Sequence, residues 1–385
     1  MAEICLKGFA NIHSHAFQRA LRGRVQSRDP GRTDTFWTWR EAMYRLAGTM
    51  DLDAIESVAR LCYMECLEAG YTAVGEFHYL HHSPDGTPWD EPSAASRAIC
   101  RAASQTGIRL TLLWTVYQRG GFGEELRHEQ RRFRAASLDD VWRALDSLAQ
   151  GPQERVGLGL AIHSVRAVSE DWLGPLAQGA RDRGLPIHAH VSEQILENAA
   201  CLAATGLTPV GLLAKHGVLG SDFTAIHATW LGEEDIALLA QSHATVGICP
   251  STEGDLGDGV PDTAALYAAG IPLAIGSDSH ALIDPFSELR SLEYQARAQT
   301  QTRCVLSGTD GDVAPVLAKI GHDNGYRCLG LNPGDDWIEL DPDALALSHT
   351  PSPSEAALLA GNPGLIQSVH VAGEALVLNG RHVGR

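Results

Sequence analysis

Short apolar runs alternate with amphipathic segments along the chain from about residue 50 onward. The amphipathic segments repeat their apolar residues at helical spacing, whereas the runs have the length and composition of buried strands. With one further run near the start, eight candidate strands result, at residues 11–15, 72–77, 109–114, 156–163, 186–193, 225–229, 244–250 and 274–280. This alternation favours an α/β fold with a parallel (β/α)8 barrel over an open doubly wound sheet.

The last part of the chain has a different pattern. Helical periodicity fades after about residue 330, and residues 368–383 alternate like a hairpin, with turns at Gly373 and at Asn379-Gly380. We therefore predict a barrel domain over residues 1–330 and a small β appendage over residues 331–385.

Composition and charge exclude several classes of protein. Hydrophobic residues make up 44% of the 385 residues, yet no apolar stretch approaches the roughly 18 to 20 residues that span a bilayer. The net charge of −17 opposes binding to nucleic acid or to an anionic membrane, so an anionic substrate would need arginines placed close to it. The first residues, Met1 to Lys7, lack the basic and apolar regions of a secretion signal, and we expect a cytoplasmic protein.

The cysteines do not suggest a metal or disulfide framework. There are eight of them, without a Cys-x-x-Cys pair, and Cys62 and Cys66 share one face of a predicted helix. We expect them to be buried as small apolar groups.

Several polar residues lie where predicted strands end. His13 and His15 are two residues apart in an extended segment and therefore point to the same face. His190, His227 and Asp278 each end a short apolar run. The carboxyl ends of parallel strands meet at one mouth of a barrel, so these side chains are expected to converge on a hydrolytic metal site with one position open for water. A metal ion there lowers the pKa of water from about 15.7 to about 7.

Two of these histidines leave alternatives open. His188 and His190 share strand parity, but the residue nearer the carboxyl end should reach the mouth, so we assign His190 to the metal and expect His188 in the core or beneath the ligands. His227 is either a third imidazole ligand or an electrophilic partner of the attacking oxygen.

Two carboxylates complete the predicted chemistry. Glu193 lies three residues after His190 and is a candidate proton shuttle, although a glutamate at a helix N-terminus would occupy the same place. Asp278 is a candidate ligand, with a helix N-cap as its alternative. His280 is expected to support the ligands. Eight further histidines are expected to be ordinary residues outside the site: His81, His82, His216, His243, His322, His349, His370 and His382.

The order His-x-His, His-x-x-Glu, His, Asp resembles the mononuclear deaminase branch of the amidohydrolase superfamily. Longer motifs are similar to the members of that superfamily that act on N-formimino-L-glutamate in histidine degradation. These motifs cover residues 11–20, 36–40, 76–82, 163–168 and 276–280.

The resemblance implies a distorted (β/α)8 barrel with a small β-sandwich and a single zinc ion, for which Fe²⁺ or Mn²⁺ could substitute. Zinc would be held by His13, His15, His190 and Asp278. Proton transfer and charge stabilisation would fall to Glu193, His227 and Asp278. A homodimer is expected by the same analogy.

The implied substrate is a small dicarboxylate with a formimino group, hydrolysed to N-formyl-L-glutamate and ammonia. Arg40 and Arg166 suit its two carboxylates, because a guanidinium is a planar two-pronged donor. Gln18, Tyr79 and His163 stand in matching motifs and would add hydrogen bonds. Alternatively, Arg40 is a surface helix residue and Tyr79 a core residue.

The amino-terminal side differs from the family pattern. Family members carry further strands before the His-x-His strand, whereas here that strand starts near the beginning and Lys7 stands where proline is usual. We therefore expect an appendage that is incomplete on its N-terminal side, with unpaired strand edges. Two other functions remain open: deamination of a cyclic amidine of the purine or pyrimidine type, and an inactive truncated paralogue.

Overall fold

Eight parallel strands form the central sheet of the protein in a computed structural model, which describes residues 4–28, 30–151, 154–332 and 334–385. Strands β2 to β9 lie side by side in chain order, as predicted for a barrel. The strands are β1 (Ile4–Lys7), β2 (Phe9–Ser14), β3 (Tyr71–His78), β4 (Arg109–Val116), β5 (Val156–Ile162), β6 (Ile187–Val191), β7 (Phe223–His227), β8 (Thr245–Ile248), β9 (Leu273–Ile275), β10 (Trp337–Leu340), β11 (Ile366–Val371), β12 (Glu374–Leu378) and β13 (Arg381–His382).

Helices separate the barrel strands and cover them from outside. Their starts follow local chemistry: the Asp51 side chain accepts from the Ala54 amide at the start of α2, and Thr208 with Pro209 opens α7. The α-helices are α1 (Phe36–Ala47), α2 (Leu52–Glu68), α3 (Ala94–Thr106), α4 (Leu138–Ala149), α5 (Glu170–Asp182), α6 (Ile195–Thr205), α7 (Pro209–Lys215), α8 (Glu233–Gln241), α9 (Pro250–Leu256), α10 (Thr263–Ala268), α11 (Pro285–Thr300), α12 (Ala314–Lys319), α13 (Gly325–Cys328) and α14 (Pro353–Ala360).

The barrel closes where the first and last of its strands meet. The Asp278 amide donates to the His13 carbonyl at 2.9 Å, and the His15 amide donates to the Asp278 carbonyl at 3.0 Å. Beyond this point Ser14 and Asp278 form a single parallel bridge. Closure therefore brings the two ends of the predicted metal motif, which are more than 260 residues apart in sequence, into direct contact.

An antiparallel sheet of five strands, in the order β1-β10-β11-β12-β13, forms the appendage. Its strands β11 and β12 are the predicted hairpin, and the turn at Asn379-Gly380 leads to β13. The sequence analysis missed β1 and β10, because each has only four residues and β1 alternates between half-buried and exposed positions. Residues 4–7 belong to the predicted barrel domain but pair with β10 of the predicted appendage, so the five-stranded sheet contains residues from both predicted domains. The domain boundary at residue 330 stays a prediction.

A buried ion pair joins this sheet to the barrel. Asp336, just before β10, accepts from the Arg109 Nε of β4 at 2.7 Å and from the Tyr326 hydroxyl of α13 at 2.5 Å. Its other oxygen accepts from the Ala372 amide at 2.7 Å, in the turn between β11 and β12. One carboxylate thus links three separate elements.

No single helix in the described part of the chain is long and apolar enough to cross a membrane. Helices α6 and α7 are long and apolar enough only when they are taken together, and their axes are bent by 47° relative to each other.

Candidate active site

A cavity opens at the carboxyl ends of the barrel strands. All of the predicted catalytic, substrate-binding and metal residues line it, except His13, which lies directly beneath it in contact with His190. The predicted residues in the wall are His15, Gln18, Arg40, Tyr79, His163, Arg166, His190, Glu193, His227 and Asp278. His190 and His227 lie in β6 and β7, Arg40 lies in α1, and the other residues lie in the segments that follow β2, β3, β5, β6 and β9.

Three imidazole nitrogens and a carboxylate oxygen converge at the floor of the cavity. His190 Nε2 lies 3.1 Å from His13 Nε2 and 3.3 Å from His15 Nε2. The Asp278 Oδ1 lies 3.4 Å from the Nε2 atoms of both His13 and His15. Ligands 2.0–2.1 Å from one ion in a tetrahedron are about 3.3 Å apart, so this donor set has the spacing for a single metal ion.

The hydrogen bonds of the rings also fit a cation. His15 Nδ1 lies 2.9 Å from the Phe77 carbonyl, and His190 Nδ1 lies 2.9 Å from the His163 carbonyl. A carbonyl only accepts, so each Nδ1 carries the proton and each Nε2 presents a lone pair to its neighbours. Burial lowers the pKa of His13, His15 and His190, which keeps the rings neutral. Lone pairs facing one another repel unless a cation lies between them.

Other histidines near the cluster support the barrel. His188 is fully buried, and its Nε2 lies 2.9 Å from the Cys328 carbonyl, beneath the ligands as expected. His280 lies between the hydroxyls of Ser14 and Ser277, each at 2.9 Å. Ser14 in turn donates to the buried carboxylate of Glu76 at 2.6 Å. This chain holds the strand that carries His13 and His15.

The strand ends around the cluster adopt unusual backbone conformations. Positive φ angles occur at Ser192 (52°), His227 (68°), Asp278 (49°) and His280 (60°), none of which is glycine. Residues of this kind are uncommon in the left-handed region and concentrate at functional sites. Asp278 is therefore not the N-cap of a following helix, a position that Asp284 takes at the start of α11.

His227 has carboxylates on both sides. Its Nδ1 lies 3.2 Å from Glu253 Oε1, and its Nε2 lies 3.7 Å from Glu193 Oε1 and 3.7 Å from Asp278 Oδ2. Burial opposes protonation of the ring, but the negative charges of Glu193, Glu253 and Asp278 outweigh it and raise the pKa of His227 to about 10. The ring is thus protonated and directs an N–H donor into the cavity.

Glu193 lies before α6 and turns its carboxylate into the cavity, where its side chain is 14% exposed. Burial raises the pKa of this carboxyl to about 7, against the opposing effect of His227. A carboxyl group with a pKa near neutrality both accepts and returns a proton readily. Glu193 is not the acidic residue of the first turn of α6, because Glu197 takes that position.

The opposite wall presents cationic and hydrogen-bonding groups. The Arg40 guanidinium lies over the Trp37 ring, 4.4 Å from its centroid. The Nε of Arg40 and the Nη1 of Arg166 are buried and have no partner among the described residues. Gln18 donates to the Tyr79 hydroxyl at 2.9 Å, which leaves the Gln18 carbonyl oxygen without a partner in the same part of the structure. These atoms are available to a ligand.

The sequence analysis did not identify several residues of the cavity. Helical spacing could have found Tyr44, four residues after Arg40, and Glu197, four residues after Glu193. No motif or spacing near Glu253 in the sequence indicated a role for it in the site, because its contact with His227 depends on the packing of α9. The lining residues of the cavity that were not predicted are Phe36, Trp39, Met43, Tyr44, Tyr117, Phe133, Ser164, Glu197 and Leu256.

Comparison with known proteins identifies the family. The model of the Amidohydrolase family matches residues 4–333. Formimidoylglutamate deiminase from Pseudomonas aeruginosa is 38% identical, with 98% of this chain and 86% of the relative covered. The crystal structure of an amidohydrolase from Brucella melitensis is 37% identical, with a TM-score of 0.89 over 98% of this chain and 86% of that chain.

A more distant structure shares the fold. An adenosine deaminase from Xanthomonas campestris, solved with bound zinc, has a TM-score of 0.80 at 20% identity, with 99% of this chain and 82% of that chain covered. The family match and the converging donor atoms of His13, His15 and His190 indicate a divalent metal site. The chain belongs to the amidohydrolase family and is a hydrolase with a site for a divalent metal.

Proposed function

We propose that the protein hydrolyses N-formimino-L-glutamate, a linear amidine, to N-formyl-L-glutamate and ammonia in histidine degradation. The observation that carries the proposal is the presence of Arg40 and Arg166, with unpartnered buried nitrogens, in the same cavity as the metal cluster. The similarity to formimidoylglutamate deiminase from Pseudomonas aeruginosa supports the same substrate.

Two guanidinium groups suit two carboxylates. A buried cation without a partner is costly, and a carboxylate that accepts from it restores the lost hydrogen bonds and charge balance. In our proposal Arg40 and Arg166 each bind one carboxylate. Gln18, Tyr79 and His163 contact the remaining polar atoms of the substrate, which places its formimino carbon towards Glu193 and Asp278.

We propose zinc as the natural ion, bound by His13, His15, His190 and Asp278. Imidazole nitrogens with one carboxylate oxygen are a donor set that zinc accepts, and Fe²⁺ or Mn²⁺ are the alternatives. When bound, the ion supplies Lewis-acid chemistry, which lowers the pKa of water so that hydroxide is available near neutral pH.

The residues of the chain then move the protons. Glu193 accepts the proton of the attacking water, and the oxygen adds to the formimino carbon while His227 donates a hydrogen bond to it. Glu193 returns its proton to the terminal nitrogen, the carbon–nitrogen bond breaks, and the carbonyl of the formyl product forms as Asp278 accepts the second proton of the oxygen. Asp278 then gives this proton to the departing nitrogen, which leaves as ammonia with both protons of the water.

We further propose a cytoplasmic homodimer. None of the eight cysteines forms a disulfide, which is typical of a reducing compartment. Helix α6 exposes Ile195, Leu196 and Leu202 by 55–59%, and a second copy would cover this apolar face. Sedimentation at several protein concentrations tests the dimer directly.

A substrate panel tests the proposed reaction. Ammonia release is measured from N-formimino-L-glutamate, from adenosine and from formamidine, which lacks carboxylates. We expect the dicarboxylate to be turned over at least about 10²-fold faster than adenosine or formamidine, since each lost charged hydrogen bond costs roughly 1.5–3 kcal/mol. Preferential turnover of adenosine would replace the proposal by a cyclic-amidine deaminase, and inactivity on every compound would contradict both.

A further inference from the structure

One short part of this acidic chain is strongly basic. Residues 22–45 contain the arginines Arg22, Arg24, Arg28, Arg32, Arg40 and Arg45 and the acidic residues Asp29, Asp34 and Glu41, which gives six positive and three negative charges. The segment therefore carries a net charge of +3 in a chain of net charge −17. An asymmetry of this kind concentrates a positive potential on one area of the surface.

Two anchors hold the segment over the mouth of the barrel. Arg22 donates from Nη2 to the His280 carbonyl at 2.7 Å, beside the metal cluster. Gln26 donates to Asp255 Oδ2 at 3.1 Å, next to Leu256, which lines the active-site cavity. The loop thus crosses from the last barrel strand to α9 along the rim of the site.

A second cavity, open to solvent, lies against this loop. Trp39 lines both cavities, so the two adjoin at this residue. We call this second cavity the arginine vestibule; its charged lining residues are Arg24, Arg28, Arg32, Asp34, Glu41 and Arg45.

Arg24, Arg28, Arg32 and Arg45 of the vestibule are all exposed to solvent. Arg24, Arg28 and Arg45 form no ion pair with any residue that the structure describes, and of the two acidic residues in the wall, Glu41 is held by Arg127 at 2.9 Å. Arg24, Arg28 and Arg45 thus present a cationic surface that no ion pair with a described residue neutralises.

We propose that the arginine vestibule captures dicarboxylates from solution and delivers them past Trp39 to Arg40. This role rests on the proposed function, since it concerns the same anionic substrate. A dianion approaching a protein of net charge −17 is repelled at long range, and a local positive rim reverses the sign of the potential at the entrance. Because the vestibule does not touch the reacting atoms, it affects capture and leaves the chemical step unchanged.

Charge reversal at two exposed positions tests the proposal. In Arg24→Glu/Arg28→Glu we expect kcat/KM for N-formimino-L-glutamate to fall by about 10-fold or more at low salt, with kcat unchanged. The difference from the native protein should shrink as salt is added, because the screening length falls to about 10 Å at 0.1 M ionic strength. The milder Arg24→Gln/Arg28→Gln should lie in between.

Arg303→Glu is the matched control. Arg303 is exposed and follows the far end of α11, whose 16 residues extend about 24 Å at 1.5 Å per residue. The variant lowers the total charge by two at a position away from the mouth, so it is compared with the single variant Arg28→Glu, which makes the same change at the loop. We expect nearly native kcat/KM and salt dependence from this variant. Equal effects of Arg303→Glu and of the loop variants on kcat/KM would overturn the proposed role of the vestibule in substrate capture.

Failure of the vestibule and failure of the proposed function give different results. If the native protein releases no ammonia from N-formimino-L-glutamate, the proposed function is wrong. Binding of glutarate, a plain dicarboxylate, is then measured by calorimetry on the same variants. Weaker glutarate binding in the loop variants alone supports capture, and equal binding in all variants rejects it.

Discussion

At the level of single residues, the site depends on which atom of each side chain faces the cavity. His15 and His190 use Nδ1 for backbone carbonyls and therefore direct Nε2 towards the shared metal position. Glu193 and His227 face the same position from the other side, 3.7 Å apart. The proposed ligands His15 and His190 thus lie apart from the proposed proton-transfer groups Glu193 and His227, whereas Asp278 has both proposed roles.

Glu193→Gln should separate metal binding from catalysis. The amide has the size of the carboxylate but cannot accept a proton, and Glu193 is not among the proposed ligands. We expect native metal content by elemental analysis and a loss of about 10²–10⁴-fold in kcat. Glu234→Gln, an exposed glutamate of α8, is the control. Full activity in Glu193→Gln would refute the proton-transfer role.

Arg166→Met should distinguish between classes of substrate. The side chain of Arg166 is half-buried, with Nη1 fully enclosed, and its loss removes a charged hydrogen bond of roughly 1.5–3 kcal/mol, or about 10- to 100-fold in kcat/KM for a dicarboxylate. Turnover of a neutral amidine should change little. The exposed Arg143→Met serves as the control. Equal losses for charged and neutral substrates would argue against carboxylate binding.

Glu288 should make stability depend on pH. Its Oε2 accepts from the Ser251 amide at 3.0 Å, and burial raises the pKa of Glu288 from 4.5 to about 8. The folded protein therefore keeps this proton to a higher pH than the unfolded chain, and the associated stability is full below about pH 4.5 and lost as the pH rises through 8. Between pH 6 and about 9 the melting temperature of Glu288→Gln should fall less than that of the native protein. Parallel melting curves would contradict this.

At the level of elements, the sequence predicted the barrel strands well. The run at residues 109–114 is apolar except for Arg109 and Thr111, because both faces of the strand are covered, and the structure has β4 over Arg109–Val116. The expectation that the residue nearer the carboxyl end of a strand reaches the mouth of the barrel also selected His190 over His188. Short edge strands such as β1 and β10 were missed, since four residues carry too little alternation and their pairing joins residues more than 300 positions apart.

The cavity wall was predicted only in part, for a related reason. Arg40 was found through a family motif, whereas Tyr117 and Glu253 enter the site through the packing of their elements around the closed barrel. Their contacts join positions distant in sequence: Glu253 meets His227 at 3.2 Å, and Gln130 donates to the Tyr117 hydroxyl at 2.8 Å. Local periodicity does not encode such contacts.

Asp336→Asn should weaken the attachment of the five-stranded sheet. The change leaves Arg109 without its buried counter-charge, and breaking such a pair costs roughly 3–5 kcal/mol. We expect this loss in the free energy of unfolding by denaturant titration, with nearly native kcat at low temperature. Asp335→Asn, one residue earlier and exposed, is the control. Equal stability of the two variants would contradict the proposed linkage.

At the level of the whole molecule, an acidic barrel encloses a site with a cationic wall. The net charge of −17 disfavours nucleic acids and anionic membranes, while Arg40, Arg166 and the arginine vestibule provide local positive charge for a small dianion. Closure of the barrel between β2 and the segment after β9 places the donor atoms of His13, His15 and Asp278 within reach of one ion.

Metal reconstitution tests the central claim most directly. The protein is stripped with a chelator, zinc is added back in steps, and bound zinc and ammonia release from N-formimino-L-glutamate are measured together. We predict that activity rises linearly and reaches its maximum near one ion per chain, and that His190→Asn neither binds zinc tightly nor regains activity. Undiminished ammonia release from the fully stripped protein, or native zinc affinity in His190→Asn, would contradict the account.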